Sequence, residues 1–146
     1  MAEAMGATPP FKRSQTGLMT IAFQQTIPIL RIFDVDKAKQ FYVDFLGFAI
    51  DWEHRFEPTA PLYMQVSRGG LILHLSEHHN DASPGANVFI WMTGVESLHA
   101  EITAKGYADI RPSVEKTFYN SLCMKVIDPF RNQLQFNEEI KSDGEV

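Results

Sequence analysis

At 146 residues the chain has the length of one compact domain, enough to bury about two-thirds of the surface its unfolded form exposes. An apolar share of 45%, with 12% aromatic and 21% charged residues, excludes a disordered or fibrous chain, and a net charge of -5 with 13 scattered Lys and Arg argues against nucleic acid as a partner. No run approaches the roughly 18 apolar residues of a membrane span, the N-terminal stretch has no hydrophobic signal core, and the single cysteine, Cys123, has no intrachain disulfide partner, so a cytoplasmic protein with a buried, inert thiol is expected.

Residues 1–20 carry Gly6, Pro9, Pro10, Gly17 and the basic pair Lys12-Arg13 without an apolar period, and read as an N-terminal tail; residues 21–140 form the domain and 141–146 a second tail. A strand is predicted over 26–33, followed by a helix over 35–46 with Val35, Ala38, Phe41, Tyr42, Phe45 and Leu46 on one face, Asp34 as N-cap and Gly47 as stop. Strands follow over 48–56, 62–68 and 71–77, the last two joined by a tight turn at Gly69-Gly70. After the polar loop 78–85 the order repeats: strand 87–92, helix 95–105 stopped at Gly106, and strands 110–112, 121–127 and 133–138. Ile27 maps onto Asn87 at an offset of 60, Gly47 onto Gly106 at 59 and His74 onto Gln135 at 61. The expected fold is therefore α+β, two βαβββ modules spanning about 26–78 and 86–139.

Strand alternation divides the side chains between two faces. Asn87, Phe89 and Trp91 share one face with Gln133, Gln135 and Asn137, while Val88, Ile90, Met92, Leu134 and Phe136 are expected to pack beneath the helices with Leu30, Phe41, Phe45, Leu98 and Ile102. Trp52, His54, Phe56 and Tyr63 extend the first face, and Phe118 and Tyr119 stand at its mouth. Aromatic walls with a few amides suit a flat, polar, cationic ligand, which a mildly acidic chain would also attract. A lone imidazole on a strand, His74, is read as held by hydrogen bonds. The adjacent His78 and His79 point to opposite sides and do not face one ion. No nucleophile elbow, phosphate loop or CxxC is present, and Asp34, Asp36, Glu96 and Glu101 are accounted for as caps and exposed-face residues. No catalytic residue is assigned.

The run ILRIFDVDKAKQFYVDFLGF and the closing DPFRNQLQFNE resemble the opening and terminal signatures of the glyoxalase, bleomycin-resistance and extradiol-dioxygenase superfamily, over residues 26–138. Residues 52–85, ending LHLSEHHNDASPG, are most similar to its bleomycin-resistance-type proteins. The resemblance implies the vicinal-oxygen-chelate fold, with cupped mixed sheets and helices on their convex side. It puts Arg131 where a glycine is usual, which places the left-handed turn there in doubt. The superfamily's metal ligands would fall at Ile27, His74, Asn87 and Gln135, of which only His74 is a strong ligand; His54, His78 and His79 are the alternatives outside that set. Neither a metal nor another cofactor is thus expected. The implied function is a metal-independent binding protein conferring antibiotic resistance, a homodimer sequestering a bleomycin-like small molecule in clefts between subunits; the alternative is a lyase, isomerase or dioxygenase of the same superfamily. Candidate ligand-binding residues are Trp52, His54, Tyr63, His74, Asn87, Phe89, Trp91, Phe118, Tyr119 and Gln135.

Overall fold

A computed structural model describes residues 19–141, so most of both expected tails lies outside the described residues. Strand β1 (Ile29–Arg31) leads into helix α1 (Val35–Lys39), which continues directly as a π-helical segment, Gln40–Phe45. Strands β2 (Ala49–His54), β3 (Tyr63–Arg68) and β4 (Leu71–Ser76) complete the first module. The second repeats the order with β5 (Asn87–Trp91), α2 (Val95–Ala104), β6 (Val114–Lys116), β7 (Ser121–Ile127) and β8 (Gln133–Glu139). Each module forms a four-stranded sheet, β1-β4-β3-β2 and β5-β8-β7-β6, in which the first and last strands of the module pair in parallel and the other pairs are antiparallel.

Local chemistry sets the helix ends. The Asp34 carboxylate accepts the Lys37 backbone N–H at 3.0 Å. Gly47, at φ +76°, adopts the left-handed conformation that ends the first helix. Two cations then serve the helix's last carbonyls: Lys105 Nζ donates to those of Asp44 and Phe45, and Arg68 to that of Leu46, so residues of other elements complete the C-terminus. At α2 the N-cap position is Gly94, which has no side chain to offer, and the Val95 N–H donates to Glu138 Oε1 of β8 at 3.0 Å instead.

The expected helix over 35–46 is continuous, but its second half is π rather than α: Leu46 N–H bonds to the Phe41 carbonyl. The widened turn accompanies burial of the neighbours Phe41 and Tyr42, together with Ala38, Phe45 and Leu46. Strand β1 is shorter than the predicted 26–33. The sixth strand begins at Val114, not at 110; Pro112 has no N–H for a ladder, and its carbonyl is taken by His99 Nε2. Leu30, Phe41, Phe45, Ile102, Leu134 and Phe136 are buried as expected, whereas Val88, Ile90 and Leu98 are only half-buried. The reason is that β5 is a sheet edge beside an apolar cavity of about 770 Å³, lined by Ile90 and Leu98 from the second module and by Leu46, Phe48 and Leu71 from the first.

The modules are tied by one buried polar knot. Asp128 Oδ1 accepts the backbone N–H groups of Phe130 and Asn132, and Oδ2 accepts Asn132 Nδ2 and the Tyr42 hydroxyl, at 2.7–2.8 Å. Asn132 Nδ2 also donates to the Arg31 carbonyl, and its Oδ1 accepts the Ala86 N–H. Arg131 sits inside this turn at φ +75°, so the left-handed conformation is kept despite its side chain. Outside the knot, Arg68 grips Glu101 through two hydrogen bonds of 2.7 and 2.8 Å, and Phe45 meets Tyr107 edge-on.

Candidate functional site

Each sheet turns one face to its helix and leaves the opposite, concave face open. On the first module that face carries Trp52 and His54 of β2, Tyr63 and Gln65 of β3, and His74 of β4. The register places Gln65 opposite both Trp52 and His74, and Tyr63 opposite His54. A bulge between Ile50 and Trp52 makes this possible. Unbroken alternation from Ala49 would put Asp51 and Glu53 on the concave face; the extra residue moves Trp52 and His54 there and sends Glu53 to Lys39 of α1, 2.8 Å away. Asp51, at the bulge, accepts hydrogen bonds from Gln65 Nε2 and Ser67 Oγ, each at 3.0 Å.

The Trp52 and Tyr63 rings lie nearly parallel, 9° apart with centroids at 6.0 Å, and both meet the His74 ring edge-on. His74, at 8% exposure, is held at both nitrogens, Nδ1 by the Tyr63 hydroxyl at 2.7 Å and Nε2 by Gln65 Oε1 at 2.9 Å. Burial pushes its pKa below the ordinary histidine value. Burial, and then the charge of Asp81, push the Tyr63 phenol upward. His54 is edge-on to Phe56, which is edge-on in turn to His78, and His54 Nε2 is buried without a hydrogen-bond partner.

On the second module the alternation read from sequence holds. Phe89 and Trp91 are 46% and 59% exposed on the concave face, and Leu134 and Phe136 face the core. Their rings extend into a row, Trp91 against Phe89, Phe89 against Tyr119, and Tyr119 against the fully projecting Phe118. The Tyr119 hydroxyl donates to Asn137 Oδ1, and Asn87 Oδ1 accepts from Gln135 Nε2 at 2.7 Å. Beside them is a cavity of about 630 Å³ lined by Lys116, Phe118, Tyr119, Cys123, Lys125 and Gln135.

The ten predicted residues therefore fall into two groups. Trp52, His54, Tyr63 and His74 share one face; Asn87, Phe89, Trp91, Phe118, Tyr119 and Gln135 share the other. Among the described residues no ring contact joins the groups, and the 770 Å³ cavity lies on the seam between modules and touches only Trp91 of the ten. Sequence reasoning missed Asp51 and Gln65, whose place depends on the bulge and the cross-strand register.

Paired βαβββ modules with open cupped faces define the vicinal-oxygen-chelate fold. The sequence matches the family described as "Glyoxalase superfamily protein" over residues 12–145, and the chain belongs to that superfamily. Bleomycin resistance proteins of Geobacillus stearothermophilus and of Staphylococcus aureus (strain N315) are 29% identical to it over 136 residues, covering 81% of this chain and 98% of theirs. Among solved structures, the bleomycin-binding protein of bleomycin-producing Streptomyces verticillus, complexed with copper(II)-bleomycin, is 27% identical with a TM-score of 0.62, covering 83% of this chain and 100% of its own. An antibiotic-binding protein from Streptomyces sp. CB03234 superposes with a TM-score of 0.67 at 20% identity, over 83% and 100% of the two chains, a likeness of fold alone.

The positions where metalloenzymes of this fold hold their ion do not suit one here. Ile27 offers hydrocarbon, both His74 nitrogens are engaged, and the Asn87 and Gln135 amides bond to each other. Among the described residues no three His, Cys, Asp or Glu side chains converge as a ligand group.

Proposed function

We propose that this chain is a metal-independent, cytoplasmic binding protein that sequesters an antibiotic or related small molecule, bleomycin or a compound like it, in the clefts of a homodimer. The observation that carries this reading is the pair of open, aromatic and amide-bearing concave faces. A ligand site buries most of its ligand, and neither face does so alone. Pairing the Trp52, His54, Tyr63 and His74 face of one protomer with the Asn87, Phe89, Trp91, Phe118, Tyr119 and Gln135 face of another would supply two walls. The kinship with bleomycin resistance proteins supports the ligand class. Exposed Ile21 and Phe23, at 90% and 96%, add apolar surface that a second copy could cover, at about 25 cal/mol for each Å² removed from water.

Isothermal titration with bleomycin, beside light scattering at micromolar concentration, tests the proposal. Expected are one ligand per chain and a mass of twice 16.6 kDa. Trp91→Ala should weaken binding roughly tenfold or more while the dimer persists. No heat with bleomycin, or a mass near that of one chain, refutes it.

A further inference from the structure

On the concave face of the first module the hydrogen bonds run in one direction. The Asp51 carboxylate only accepts, so the Gln65 atom 3.0 Å from it is the amide nitrogen, and Oε1 is turned toward His74 Nε2. An amide oxygen also only accepts, which puts the imidazole proton on Nε2. Burial keeps the ring neutral, so Nδ1 holds a lone pair, and the Tyr63 hydroxyl 2.7 Å away donates to it. Each group dictates the next, and the only proton of the Tyr63 hydroxyl is committed at the end of the series.

We infer that Asp51, acting through Gln65 and His74, makes the Tyr63 oxygen an obligate acceptor, so that this face selects ligand groups carrying an N–H donor, such as a primary amide or a protonated amine, over groups that only accept. Asp81 adds negative potential at Tyr63, and the Trp52 ring stacked beside it offers a π-face to the same donor group. A site built with committed hydrogen bonds rejects a ligand that lacks the matching group, because a lone pair would face a lone pair. Asp51 is here a positioning residue; Tyr63 is the group that would touch the ligand. The inference rests on the binding function proposed above, and it adds which chemical group the first module reads.

The experiment pairs a tautomer measurement with a neutral probe pair. In wild-type protein at neutral pH, long-range ¹H–¹⁵N spectra of the imidazole should show His74 as the Nε2–H tautomer, and Asp51→Asn, which frees the Gln65 amide to turn over, should populate Nδ1–H. Benzamide, which has N–H donors, and methyl benzoate, which only accepts, are then titrated while the Trp52 indole and His74 ring signals are followed. Benzamide should bind at least fivefold more tightly, and both Tyr63→Phe and Asp51→Asn should bring that ratio close to one, with unchanged backbone spectra away from the site. An Nδ1–H wild-type tautomer, equal or stronger binding of methyl benzoate, or no shift with benzamide would overturn the inference. None of these readouts uses bleomycin, so bleomycin failing to bind while the fragment preference holds would remove the sequestration reading and leave the donor selectivity standing.

Discussion

Replacing Tyr42 by Phe should destabilise the protein by about 2 kcal/mol through a single hydrogen bond between modules. Tyr42 is fully buried, and its hydroxyl donates at 2.7 Å to Asp128, 86 residues away. A hydrogen bond to a charged acceptor is worth about 1.5–3 kcal/mol net. The lower part of that range applies, because Asp128 keeps three other donors, from Phe130 and twice from Asn132, and is not left orphaned. For a domain of this size about 2 kcal/mol lowers Tm by roughly 4–8 °C, measured by calorimetry at fixed protein concentration because self-association would shift the midpoint. The pH dependence has a definite sign. Burial, reinforced by Asp128, raises the Tyr42 pKa well above its ordinary value of 10.0. The folded phenol then keeps its proton where the unfolded one has lost it, so the contribution is full below pH 10.0 and declines as the solution is made more alkaline. The gap between wild type and Tyr42→Phe should therefore be constant near neutrality and narrow above that pH. A variant melting within about 1 °C of wild type at pH 7, at most roughly a quarter of the expected shift, or a gap that widens with alkalinity, would refute the reasoning.

Arg131→Gly should raise stability by up to about 1 kcal/mol, since a left-handed non-glycine residue costs roughly 1–2 kcal/mol and the freer unfolded glycine chain returns about 0.4–1; urea midpoints measure it, and a loss would show that the Arg131 side chain makes a stabilising contact. His74, its pKa lowered by burial, resists protonation in the folded state, so stability should be full above the ordinary histidine value of 6.5 and fall as pH drops below it. His74→Gln should flatten that acid limb, and an unchanged limb would place the linkage elsewhere. Arg68→Met removes an exposed ion pair to Glu101 and a hydrogen bond to the Leu46 carbonyl; about 0.5–1 kcal/mol is expected, shrinking in salt, by thermal melts at two ionic strengths.

Patterns that depend on neighbours in the chain were legible in the sequence. Asp34 and Gly47 bound the first helix because cap and stop act within one turn, and β7 is the predicted 121–127 because a strand-favouring run is closed on either side by the turn residues Asn120 and Asp128. Phe89 and Trp91 stand on the open face because β5 alternates strictly, and slipping one residue would bury them and expose Val88 and Ile90. The tertiary structure alone decided what depends on a partner distant in sequence. The bulge that brings Asp51 within reach of Gln65 and Ser67, beside Trp52 and His54, is revealed only by the ladder with β3. The half-burial of Ile90 and Leu98 reflects a seam between modules that no single strand pattern encodes. The closing Asp-Pro motif reads as a turn until Tyr42 is seen to reach it. The direction of the hydrogen bonds from Asp51 to Tyr63 likewise exists only because three strands bring Asp51, Gln65, His74 and Tyr63 within bonding distance, since a residue's donor or acceptor role is set by the neighbour it meets and not by its place in the chain.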